Sequence, residues 1–179
     1  MIRTRVGYTG GSTADPTYRS MGDHTEALQI DFDPTVITYD DLLAILWTNH
    51  DPTRPAYSVQ YRAAIWCDGE TQMASARSSG ERAAAARGGP LTTAIEPLGR
   101  FHRAEEYHQK YRLRRQPTIE AELVSRYGSD RAMVDSTAAA RLNGLLSGHG
   151  RRDEIAEIVP MLALSPASEM ALQSTIGRF

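Results

Sequence analysis

The sequence predicts an α+β fold, a two-layer or three-layer mixed-sheet domain with flanking helices and a helical C-terminal extension. Three observations carry this. Segments that alternate apolar and polar residues recur in the first hundred positions, with helical patterns between them. Clusters of Gly, Pro, Asp and Ser separate those segments. From about residue 103 the strand pattern stops and only helical spacing remains. We place the mixed domain at 1–112 and an extension packed on it at 113–179; a separate C-terminal module is the alternative, but about seventy residues is small for an independent core.

The elements follow in order. Residues 2–8, IRTRVGY, alternate and suit a strand. Residues 9–23 hold Gly10, Gly11, Pro16 and Gly22 and read as a loop. The Gly10-Gly11 pair fits neither the dinucleotide nor the P-loop spacing, so it is assigned to a tight turn. Residues 24–32 form a second strand, with Glu26, Leu28, Ile30 and Phe32 on one face. Asp33-Pro34 breaks it. Thr38 starts a helix with a capping-box pattern and an apolar stripe of Leu42, Leu43, Ile45, Leu46 and Trp47; His50-Asp51-Pro52 ends it. A third strand is expected over Gln60 to Cys67, an Ala-rich surface helix over 70–87, and a fourth strand over 91–96. Helices are expected at 103–113, 117–127, 136–147 (capped by Asp135 or Ser136), 152–163 and 166–176.

Composition narrows the function. With 41% apolar and 23% charged residues the chain reads as a globular protein. A net charge of −2 gives no bulk attraction to nucleic acid or anionic membrane, so no nucleic-acid and no membrane partner is expected. No apolar run approaches a membrane span and no secretory leader is visible, so a cytoplasmic location is the default. The single cysteine, Cys67, rules out a disulfide within the chain and a cysteine-rich metal site; no metal is expected.

Four blocks then stand in order: GYTGG to GDHTEALQIDFDP (7–34), YDDLLAILWTNHDPT (39–53), QYRAAI (60–65) and FHRAEEYHQKY (101–111). Together they closely resemble the peptide methionine sulfoxide reductases of the A type, and four ordered blocks are far more specific than one short motif. The segment DSTAAARLNGLLSGHG (135–150) is similar to the tails of one subgroup. The resemblance implies thiol-dependent reduction of methionine S-sulfoxide, free or in proteins, with no bound cofactor and an external reductant such as thioredoxin. It places the opening block just after the Gly-Cys-Phe-Trp-Gly motif that carries the family's nucleophile, a motif missing from this sequence. The sequence therefore reads as N-terminally shortened, with a start codon placed too far downstream. A chain inactive for want of its nucleophile, a non-catalytic sulfoxide-binding module and a degraded paralogue are the readings that follow.

Sulfoxide reduction needs a thiolate to attack sulfur, an acid to protonate the departing oxygen, and fixed donors to hold that oxygen. Glu26 is the acid candidate. A carboxyl on the face of Leu28, Ile30 and Phe32 would have its charged form desolvated, and the resemblance places the family's glutamate here. The plain alternative is a strand-end Glu facing solvent. Tyr18 and Tyr61 match the two tyrosines that the resemblance assigns to the sulfoxide oxygen; a packing role is the alternative for each. His24, two residues before Glu26, and Tyr107 and His108 are expected to support the pocket. Cys67 is the remote nucleophile candidate: on a strand it would share a face with Tyr61 about 20 Å away, beside Asp68 and without an adjacent cation, so a buried packing thiol is expected. Two departures from the family pattern stand out. Residues 53–59 lack the Asp that precedes this strand in many members, and the C-terminal resolving cysteines are absent.

Overall fold

The computed structural model describes residues 1–177. It is an α+β protein whose strands form two small sheets. β1 (Arg3–Thr9) lies between β2 (Thr25–Asp31) and β5 (His102–Arg103), the latter antiparallel to it at Gly7 and Tyr8. β3 (Ala64–Cys67) and β4 (Ala94–Pro97) pair in parallel across their full lengths. The chain divides into two compact units. One comprises Val6–Leu28 and Phe32–Glu105; the other comprises Met1–Arg5, Gln29–Asp31 and the residues from Glu106 onward.

In the first unit α1 (Tyr39–Asn49) opens with the capping box the sequence indicates: Thr38 and Asp41 exchange side-chain and backbone hydrogen bonds. The helix ends at His50, whose Nδ1 donates to Leu46 O at 2.7 Å while Nε2 accepts from Thr93 Oγ1 at 2.9 Å. Of the apolar stripe, Leu43 and Trp47 are buried and Ile45 is exposed. α2 (Glu70–Ala86) packs on α1. Trp47 Nε1 donates to Ser79 Oγ, and Gly80 lets the Trp47 ring approach so closely that a Cβ there would lie 3.1 Å from it. α2 thus buries Met73, Ala76, Gly80 and Ala84 and is no purely surface helix.

The second unit holds the larger apolar cluster. It gathers Leu113, Ile119, Leu123, Met133, Val134, Leu142 and Leu172, all fully buried. Its helices are α3 (Pro117–Tyr127), α4 (Asp130–Val134), α5 (Thr137–Leu145), α6 (Arg152–Met161) and α7 (Pro166–Ile176). Pro117 at N1 and Gly128 in the left-handed C-cap bound α3, which explains why its limits were legible. Ser136, not Asp135, caps α5. Asp135 instead accepts from Arg5 Nε at 2.7 Å. Arg114 gathers Glu120 and Asp130 at 2.7 and 2.8 Å, and these carboxylates hold its guanidinium above its ordinary pKa, Asp130 most strongly.

Three expectations are corrected. The third strand begins at Ala64, since residues 59–62 form a turn in which the Val59 and Gln60 carbonyls accept from Thr25 and Glu26 of β2. The expected helix 103–113 is absent: β5 opens the segment, and two 3-10 turns, Glu106–His108 and Leu113–Arg115, flank Lys110 at φ 53. Lys110 is buried and its ammonium donates to the Thr4 carbonyl and hydroxyl, so tertiary bonds override local propensity there. The face of β2 bearing Glu26 and Leu28 is exposed, with Leu28 at 57%.

Replacing Leu142 by Ala should remove about 3 kcal/mol of stability, since a fully buried leucine leaves a cavity among rigid helices. Urea unfolding followed by circular dichroism checks this.

Candidate active site

The site is built from the start of β2, the turn 59–62 and the Gly-rich loop. Glu26 N donates to Gln60 O at 3.1 Å, and Thr25 Oγ1 donates to Val59 O at 2.8 Å. Arg62 Nε donates to that same Thr25 hydroxyl at 3.0 Å. These three bonds lace the turn to the strand and set the Glu26 and Tyr61 side chains side by side. The Gln60 amide nitrogen bridges them, 2.8 Å from Glu26 Oε1 and 3.0 Å from the Tyr61 hydroxyl.

Tyr61 and Tyr18 are hydrogen-bonding neighbours, both about half exposed. The Tyr61 phenol is pushed above its ordinary pKa, first by partial desolvation, then by the Glu26 carboxylate, with Tyr18 and Tyr57 adding to it. A phenol raised in this way stays protonated and remains a donor. The Tyr57 ring lies 5.9 Å from that of Tyr61. Tyr18 reaches this position because its backbone N–H donates to Glu105 Oε1 at 3.0 Å, while Glu105 Oε2 accepts from the buried Tyr8 hydroxyl at 2.7 Å.

Behind the turn, Arg62 grips Glu96 with two bonds of 2.6 and 2.8 Å, and Trp66 Nε1 donates to the same carboxylate at 3.1 Å. Those contacts, Arg62 first, hold the Glu96 carboxyl below its usual range. Gly10, at φ +81, passes so near that a Cβ would lie 2.8 Å from both Arg62 Nη2 and Trp66 Nε1. The Gly-rich loop is pinned at its other side by Asp23, which accepts from the backbone and hydroxyls of Ser12 and Thr13. These four donors, the Thr13 hydroxyl foremost, hold Asp23 well below the usual carboxylate range.

Of the residues named from sequence, Tyr18, Glu26 and Tyr61 come together. The reason given for Glu26 is corrected: the carboxyl is exposed and held by an amide, not by an apolar face. His24 is buried and precedes the strand; Nδ1 accepts from Gly11 N and Nε2 donates to Thr13 O, so it orders the loop. Tyr107 and His108 lie in the 3-10 turn, their rings 4.1 Å apart. Cys67 is buried among Leu43, Trp47, Ile65, Met73 and Ala76, its Sγ 3.6 Å from the Tyr39 hydroxyl. Tyr61 sits in the turn and not on β3, so the even spacing to Cys67 has no meaning as a shared strand face. Sequence reasoning missed Gln60, Glu105, Asp23 and the Arg62–Glu96 pair. Gln60 had a local signal, its place beside Tyr61; Asp23 binds across its own loop to Ser12 and Thr13, and Glu105 and the Arg62–Glu96 pair find partners 34 or more residues away.

Comparison with known proteins decides the family. The family model described as "Peptide methionine sulfoxide reductase" matches residues 1–140. The chain belongs to the peptide methionine sulfoxide reductase family. Peptide methionine sulfoxide reductase A5 of Oryza sativa subsp. japonica is 40% identical over 149 residues, 80% of this chain and 58% of that protein. Peptide methionine sulfoxide reductase of Drosophila melanogaster is 37% identical over 168 residues, 93% of this chain and 67% of that protein. Methionine sulfoxide reductase A of Corynebacterium diphtheriae superposes with a TM-score of 0.57 at 39% identity, covering 64% of each chain. The chain thus spans 58% of the rice reductase and 64% of the bacterial one. Within the reductase fold the position before the Gln60-Tyr61 pair is held by Tyr57, Ser58 and Val59. Among the described residues no group of three or more His, Cys, Asp or Glu could hold a metal, and no helix is long and apolar enough to cross a membrane.

Two outcomes follow. Gly10→Ala should cost on the order of 1–3 kcal/mol, combining a left-handed backbone with a clash against Arg62 and Trp66; thermal unfolding measures it. The Asp23 contribution is fully present above the unfolded carboxyl pKa, near about 4, and is lost as pH falls through the lower folded value. Asp23→Asn should therefore lower the melting temperature at neutral pH and weaken its fall below pH of about 4.

Proposed function

We propose that this chain carries the oxygen-handling part of a peptide-methionine (S)-S-oxide reductase site. Tyr18, Tyr61 and Glu26 form one cluster within a family match that covers them; this juxtaposition is the observation that carries the reading. Neutral phenols of Tyr18 and Tyr61 hydrogen-bond the sulfoxide oxygen, and Glu26 passes a proton to it as it leaves. Electron balance requires two thiols per turnover: one thiolate attacks sulfur, methionine departs as thioether, the oxygen leaves as water, and a second thiol closes a disulfide. An external dithiol reductant such as a thioredoxin supplies both electrons and both hydrogens of that balance and leaves as its disulfide, and the substrate is methionine sulfoxide, free or within a protein.

The attacking thiol is not Cys67. Its sulfur is buried among apolar side chains and beside the Tyr39 hydroxyl, out of reach of a substrate. That burial also favours the second reading, a module that binds methionine sulfoxide without turnover. His24 acts through the loop it orders, and we assign Tyr107 and His108 a supporting role. We further assign 1–112 to the reductase-like domain and 113–179 to a helical extension. The proposed setting is the cytoplasm.

Calorimetric titration with the separated epimers of N-acetyl-methionine sulfoxide tests the reading. The S epimer should bind, the R epimer at least about tenfold more weakly, and the Tyr18→Phe/Tyr61→Phe double variant should lose about tenfold or more. Binding that ignores epimer and both tyrosines sinks it. Cys67→Ser should leave binding, and any turnover with dithiothreitol, unchanged; turnover that vanishes in this variant would make Cys67 the nucleophile.

A further inference from the structure

We propose that Gln60 is a positioning residue that aims the Glu26 carboxyl and the Tyr61 hydroxyl at one point. The inference rests on the reading of the site just given. One amide nitrogen lies 2.8 Å from Glu26 Oε1 and 3.0 Å from the Tyr61 oxygen. An ionised carboxylate only accepts, so the group facing Glu26 is the amide NH2. The Tyr61 oxygen therefore receives a hydrogen bond and its own hydrogen is left to be donated outward, to Tyr18 or to a bound oxygen. Likewise one carboxylate oxygen is occupied and the other is left to carry and release a proton.

The backbone contributes to the same end. Gln60 O accepts from Glu26 N at 3.1 Å, and the side chain closes a second bond between the same two residues. Glu26 is exposed and stands on a strand face without apolar packing, with Leu28 next along that face at 57% exposure. A glutamate in that setting samples many rotamers unless a partner selects one. Gln60 is that partner, and its own side chain is held at two oxygens. A residue that fixes both the acid and a neighbouring donor prepays the orientation that proton transfer to a leaving oxygen requires.

Gln60→Met keeps length and the backbone bond while removing the donor. The readout is the set of side-chain scalar couplings of Glu26 by NMR, which report whether one rotamer is selected, together with affinity for N-acetyl-methionine S-sulfoxide. One Glu26 rotamer should dominate in the wild-type protein; in Gln60→Met the couplings should average over several rotamers, and affinity should fall about tenfold. Gln60→Glu, which places a second carboxyl there, should disperse the Glu26 rotamers likewise. Unchanged melting temperatures in both variants would separate this effect from loss of fold. Glu26 couplings that do not change in either variant overturn the inference. So does sulfoxide affinity that falls in Tyr61→Phe yet is untouched in Gln60→Met, an outcome that leaves the reading of the site standing. A wild-type protein that binds neither epimer overturns that reading, and the inference with it.

Discussion

The lacing of the 59–62 turn onto the first two residues of β2 is the constraint on which the site depends. Thr25 and Glu26 supply a hydroxyl and an N–H; Val59 and Gln60 supply the carbonyls; Arg62 returns a donor to the Thr25 hydroxyl. Thr25 is fully buried, so an unpaired hydroxyl there would be costly, and the bond to Val59 is correspondingly selective. Once those bonds form, Tyr61 must stand beside Glu26. The residues that follow must run into β3, where Arg62, Trp66 and Glu96 close a charged cluster on the other side of the turn.

The Gly-rich loop is shaped from several directions at once. Asp23 collects two backbone and two hydroxyl donors, His24 spans Gly11 and Thr13, and Glu105 ties Tyr18 to the Tyr8 hydroxyl. No single bond among exposed partners contributes much in water. Their value lies in number and direction: a loop with four Gly and Pro positions loses much conformational entropy on ordering, and many converging bonds oppose that loss. The loop thereby presents Tyr18 to Tyr61 without itself forming a strand or helix.

The second unit follows a different logic. A cluster of fully buried aliphatic residues on short helices sets its core, and charged side chains fasten its edges. Arg114 joins the 3-10 turn at Leu113–Arg115 to Glu120 and Asp130, while Arg5 joins the beginning of β1 to Asp135 and Gln29. Where such a residue binds across a long stretch of sequence, local propensity is a poor guide. The segment around Lys110 shows this: its helical composition yields to a buried ammonium that must find carbonyl and hydroxyl partners.

The sequence by itself determined the α+β class, β1 and β2 nearly to their ends, the capped α1, and the limits of α3 and α7, because strand periodicity, capping residues, Pro at N1 and Gly at a C-cap act within a few residues of where they are written. It also determined the family and singled out Tyr18, Glu26 and Tyr61, through blocks of uncommon residues in order. Tertiary structure alone decided that β3 is half the expected length, that the Glu26 face of β2 is exposed, that His24 serves the loop, and that Gln60 links the acid to the phenol. The bonds behind them reach from 11 and 13 residues for His24 to 34 for Gln60 and Glu26, and hydrogen-bond directionality across such separations leaves no periodic trace in the chain.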